Sequence, residues 1–154
     1  MAKMKSTLVV FNEADIKGGP GIVEGQTMKM LVGNEARPSE RLSVALATFK
    51  PGTLEQLHWH LIEGCYYVIS GRAVMRDIEG KRYNLGPGSV IYAPAGIAGS
   101  HDWDIKEELQ LIGIRATNDP SRLIQFDVDE STKRSTIEFK QLIRWGVSKF
   151  KSLY

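Results

Sequence analysis

Residues 51–71 read PGTLEQLHWHLIEGCYYVISG, a stretch opened by a Pro-Gly turn and closed by a Ser-Gly turn. Between the turns lie His58 and His60. Residues two apart on a β-strand share a face, so these histidines project side by side while Trp59 points the other way. The same alternation gives Gln56 the inward parity, as a neutral ligand, a substrate contact or a packing residue. Glu55 takes the opposite parity and is expected to be exposed. Two imidazoles on one face with carboxylates nearby, Glu55 and Glu63, can begin a mixed nitrogen and oxygen metal shell. A lone His-x-His pair is also compatible with hydrogen-bonded residues that hold no metal.

The chain has three histidines in all. The third, His101, ends a second stretch punctuated by Gly and Pro, LGPGSVIYAPAGIAGSH, residues 85–101. With this stretch in view, the sequence resembles the cupin superfamily, in particular its small single-domain members. Pro51, Gly52, His58, His60 and Gly71 fall on the family's first motif, P-G-x5-H-x-H-x3-4-E-x6-G. Gly88, Pro94 and Gly96 fall on the second, G-x5-P-x-G-x2-H-x3-N. The resemblance runs from Arg41 to Ile114. It implies a single antiparallel, jelly-roll-like β-barrel with a divalent metal ion inside, Fe, Zn, Mn or Ni. It also implies His58, His60 and His101 as ligands.

Two departures bear on that ligand set. The family's glutamate corresponds to Gly64, and the nearest carboxylate, Glu63, comes one residue early. A bulge at Gly64 would turn Glu63 inward as a fourth ligand, since a bulge sets two residues opposite one. Without a bulge Glu63 faces away from the histidines. The family's second-motif histidine corresponds to Gly99, so His101 requires a loop two residues longer, and Ile105 stands where an asparagine is expected. Tyr66, Val68 and Ser70 continue the inward parity from Gly64. Tyr66 and Gln56 are therefore the candidates for contact with a substrate. Tyr92 and Trp103 read as core or cavity aromatics, and Cys65 as a small apolar packer.

The remainder of the sequence agrees with an all-β domain. At 154 residues the chain suits one domain. Short apolar runs broken by Gly and Pro mark strands at Met28 to Val32, Arg41 to Phe49, Tyr66 to Ser70, Val90 to Ala93 and Leu109 to Arg115. Ala73 to Asp77 and Lys81 to Leu85 form a hairpin across Glu79-Gly80. Three regions follow: an N-terminal arm over 1–34, the barrel over 35–117, and an extension over 118–154. Ser135 to Lys151, with a partial apolar stripe, reads as a short C-terminal helix.

The net charge of +2, with no dense basic run, gives no sign of a nucleic-acid partner. No segment is apolar enough to span a membrane. One cysteine excludes an intrachain disulfide framework. A cytoplasmic location is the expectation. Leu142 and Trp145 in the extension suggest apolar surface for a homodimer. The resemblance implies an enzyme on a small oxygenated or carboxylate metabolite, by O2-dependent dioxygenase chemistry or by Lewis-acid chemistry of the lyase, isomerase or decarboxylase kind. The alternative is a non-catalytic cupin that binds or senses a small molecule.

Overall fold

A computed structural model describes residues 5–137. The strands are β1 (Gly19–Pro20), β2 (Gln26–Val32), β3 (Ser43–Phe49), β4 (Leu54–His60), β5 (Gly64–Ser70) and β6 (Ala73–Asp77). They continue with β7 (Arg82–Leu85), β8 (Val90–Ala93), β9 (His101–Ile105), β10 (Leu109–Arg115), β11 (Gln125–Val128) and β12 (Ser135–Ile137). One sheet has the order β1-β2-β3-β10-β5-β8 and the other β12-β11-β4-β9-β6-β7. The pairings within them are antiparallel. Helical structure among the described residues amounts to three short 3-10 turns.

The sheets pack face to face over a shared apolar core. Phe49, Val68, Leu109 and Leu111 come from the first sheet; Ala73, Met75, Trp103 and Ile105 come from the second. Phe49 and Trp103 stack across the gap with ring centroids 6.3 Å apart. Val68, Ile105 and Leu109 are fully buried, and burial of a side chain of this size stabilises the fold by about 1.5–3 kcal/mol each.

Turn chemistry sets the strand ends. In the β6–β7 hairpin the Asp77 carboxylate accepts from the Glu79 and Lys81 N–H groups at 3.0 and 2.9 Å. Gly80 supplies the positive φ of 86° that the turn requires. Between β5 and β6, Gly71 has a φ of 84°, and its Cα lies so close to Glu108 that a Cβ there would overlap the Glu108 carbonyl.

The barrel strands extend past 35–117 on both sides. β2 pairs with β3, and β11 pairs with β4. The helix expected from Ser135 begins instead as a strand, because Ser135–Ile137 pair with Phe126, Asp127 and Val128 of β11. The rest of that segment, including Leu142 and Trp145, lies outside the described residues. No helix among the described residues is long and apolar enough to cross a membrane.

Candidate metal centre

β4 carries the main departure from simple alternation. Glu55 lies opposite Trp103 and His58 lies opposite His101. Two residues of β4, Gln56 and Leu57, therefore face one residue of β9, Asp102, which is a β-bulge. The bulge puts Glu55 and His58 on the same side although their numbers differ by three. Glu55 is buried at 5% exposure, and Gln56 is exposed. The sequence expectation for this pair is reversed: Glu55 enters the cavity and the Gln56 side chain leaves it. Gln56 still acts on the site through its backbone, because His58 Nδ1 donates to its carbonyl at 2.7 Å.

His101 opens β9 and is held in a similar way. Its Nδ1 donates to the Gly99 carbonyl at 2.9 Å. The loop before it is anchored where Gly96 N donates to His60 O at 2.9 Å. A Cβ at Gly99 would overlap the Pro94 carbonyl, so this tight loop needs glycine there. His60 completes the cluster. The ligand-capable atoms of His58, His60 and His101 all lie within 4.8 Å of one another, and all three residues are buried.

Burial is the main electrostatic influence on these rings. It lowers His58 to about 4 and His101 to about 3, and takes His60 well below its ordinary value. The positive charge of Arg115 pushes each of them further in the same direction. The imidazoles are therefore neutral at pH 7, the form that binds a metal. With Nδ1–H of His58 and His101 committed to backbone carbonyls, each ring keeps an Nε2 lone pair for a ligand within the cluster. Backbone acceptors commonly orient metal-ligating imidazoles in this way.

His101 Nε2 and His60 Nδ1 are buried without a hydrogen-bond partner. Buried polar nitrogens are seldom left unpaired, and a cation would satisfy His101 Nε2 directly. Three nitrogens at about 2.1 Å from one ion are at most about 4.2 Å apart, so small side-chain shifts would close the cluster on a divalent ion. The residues fit such an ion.

Around the histidines stand Glu55, Tyr66, Trp103, Arg115 and Gln125, which line a cavity of about 100 Å³. Glu55 Oε1 lies 3.7 Å from His58 Nε2. With His58 neutral, this contact is not an ion pair. Burial raises the Glu55 carboxyl to about 7, against the opposing effects of a hydrogen bond from Gln125 and the charge of Arg115. Tyr66 OH lies 3.5 Å from His60 Nε2 and accepts a hydrogen bond from Arg115 Nη2. The Arg115 guanidinium carbon lies 4.9 Å from the centre of the Tyr66 ring. Gln125 and Asp127 enter alongside His60 and His58 because β11 pairs there.

The other sequence candidates separate. Tyr66 lines the cavity, and Trp103 packs edge-on against both His101 and Tyr66. Tyr92 is exposed, and its hydroxyl donates to Glu63 Oε2 at 2.5 Å. Glu63 is exposed and outside the three-histidine cluster. The bulge that would turn it inward is absent: Gly64 pairs in register with Ala93, and the shift in β5 falls near Ile69. Gly64 has a different role, because a Cβ there would lie 2.7 Å from Arg115 Cζ and overlap Nη1. Cys65 is half-buried. Sequence reasoning missed Arg115, Gln125 and Asp127. Arg115 had a signal, since Leu109, Leu111, Gly113 and Arg115 share one strand face.

Residues 45–113 match the family model described as the cupin domain. The chain carries a cupin domain. No curated protein sequence matches it. Among solved structures, this cupin is similar to the polyketide cyclase RemF from Streptomyces resistomycificus. That match has 19% identity and a TM-score of 0.62, covering 71% of this chain and 79% of that one. It is also similar to KdgF from Halomonas sp., at 19% identity and a TM-score of 0.58, covering 70% and 94%. A third match is oxalate decarboxylase from Bacillus subtilis, at 22% identity and a TM-score of 0.59, covering 80% of this chain and 33% of that one. At these identities the likeness concerns the fold.

Proposed function

We propose that this cupin is a metal-dependent enzyme acting on a small oxygenated or carboxylate metabolite. The reading favours proton-transfer chemistry of the lyase or isomerase kind over O2-dependent chemistry. One observation carries it: three neutral, buried imidazoles cluster together, and two of them, His58 and His60, line a cavity that also holds a buried carboxyl group poised near neutral pH. A general acid–base works best when its proton affinity is matched to the working pH.

His58, His60 and His101 would hold the ion, which when bound supplies a Lewis acid that polarises a carbonyl or carboxyl oxygen. The Gln56 and Gly99 carbonyls keep His58 and His101 in the tautomer with a free Nε2. Glu55 takes or returns a proton at its carboxyl oxygen, beside His58 and within the same cavity. Tyr66 OH, held by Arg115, presents a hydroxyl to the same space. Trp103, Phe49 and Leu111 form an apolar wall of the cavity.

The test is elemental analysis of untagged protein, followed by His101→Ala. About one divalent ion per chain is expected in the wild type, with affinity at least about tenfold lower in the variant. Wild-type protein that takes up no divalent metal would overturn the reading. A metal-loaded protein with no turnover on any small oxygenated acid would favour the binding or sensing alternative.

A further inference from the structure

Arg115 is a half-buried charge with an incomplete set of partners. It ends β10 on the inward face and lies over Tyr66. Its Nη2 donates to the Tyr66 hydroxyl, which is neutral, and its Nη1 is buried with no partner. Gly64 is what lets the guanidinium lie there, since the three heavy atoms nearest to a Cβ at Gly64 all belong to Arg115. A charged N–H group buried without an acceptor, as at Nη1, is costly unless an anion meets it.

No carboxylate among the described residues forms an ion pair with Arg115, although its charge acts on the nearby Glu55 carboxyl. Glu55 has its hydrogen bond from Gln125, and Asp127 lies within reach of the Gln125 amide at 3.4 Å. A divalent cation among the histidines would add more positive charge to a cavity that Arg115 also lines. The wall beside Arg115, on the same sheet, is apolar and includes Met28, Ala45, Phe49 and Leu111. A volume of about 100 Å³ admits only a molecule of a few non-hydrogen atoms.

We propose that Arg115 is the anchor for a carboxylate group of the bound small molecule, which is a short-chain carboxylic acid with its apolar end against β2, β3 and β10. The guanidinium pairs with a carboxylate in fixed fork geometry, and Tyr66 holds that fork in place. Arg115 then selects the substrate, while the histidines hold the ion. The assignment rests on the reading of this cavity as the substrate site.

The test measures calorimetric binding of propionate, and of its neutral isostere propionamide, to the full chain with and without added Mn2+. Wild type, Arg115→Met and Gly64→Ala are compared, with metal content determined for each. Propionate is expected to bind the wild type at least about tenfold more tightly than propionamide, the scale of a hydrogen bond to a charged group. Arg115→Met should remove that preference and leave metal content unchanged. Gly64→Ala, which displaces the guanidinium without deleting it, should weaken propionate binding and also keep the metal.

Equal affinity for acid and amide, no propionate binding by the wild type, or full affinity in both variants would each overturn the assignment. If the wild type binds propionate with this preference but takes up no metal, the metal-centre reading fails and the role of Arg115 stands.

Discussion

Replacing Glu55 with Gln should change the pH dependence of stability in a way that tests the buried carboxyl directly. The folded protein holds Glu55 at about 7, against an ordinary 4.5, so the neutral form is favoured on folding. An acid raised in this way destabilises the fold above its unfolded value, and the penalty grows until pH passes the folded value. The penalty from the Glu55 shift is about 3 kcal/mol at pH 7 and less than about 1 kcal/mol at pH 5. The histidines have the opposite sense. With folded values of about 4 and 3 against 6.5, His58 and His101 each remove about 2 kcal/mol between pH 7 and pH 5. His60 shifts in the same direction and adds to the loss.

In the wild type the relief of Glu55 offsets about half of what His58 and His101 remove. Glu55→Gln keeps the shape and loses the titration. Metal-free Glu55→Gln protein should be more stable than wild type by about 3 kcal/mol at pH 7, with an advantage below about 1 kcal/mol at pH 5. Urea unfolding of both proteins in chelator, at half-unit steps from pH 5 to pH 8, reads this out. Parallel curves for the two proteins would refute a buried carboxyl with a raised proton affinity.

Glu63→Gln should leave metal content and metal affinity at the wild-type level by elemental analysis, because the Glu63 carboxylate bonds the exposed Tyr92 hydroxyl and stands outside the histidine cluster. Gly71→Ala should lower stability by at least about 1–3 kcal/mol in thermal or urea melts, since the backbone conformation is unfavourable for alanine and the new methyl overlaps the Glu108 carbonyl.

Much of this arrangement was legible in the chain. The histidine pair, the hairpin at Glu79-Gly80 and the strand at Leu109 to Arg115 follow from parity and turn residues. His101 joins the cluster despite its displaced position, because the intervening 3-10 turn, Ile97–Gly99, takes up the extra loop length. What resisted reading was the bulge. Gln56 and Leu57 include no glycine, and a classification by strict alternation places Glu55 outside and Gln56 inside. The choice depends on pairing with β9, a partner more than forty residues away. Gln125 and Asp127 were hidden for a related reason, since only the pairing of β11 with β4 brings them beside the histidines.

The β4 bulge also shows how a barrel interior can be rewritten. One extra residue in a strand acts as a spatial frameshift that begins at Gln56 and has no effect on the frame of the histidines beyond it. On the near side of the shift, an acid replaces an amide in the cavity without any change of amino acid. Removing Leu57 would leave Glu55, Gln56 and His58 in simple alternation with Glu55 still inside, whereas sliding the first half of β4 by one residue against β9, with no change in length, would turn Gln56 inward and Glu55 to solvent. A sheet can thus exchange a proton-carrying group for an inert one by changing register, a route to new chemistry that a comparison of aligned residue identities alone would overlook.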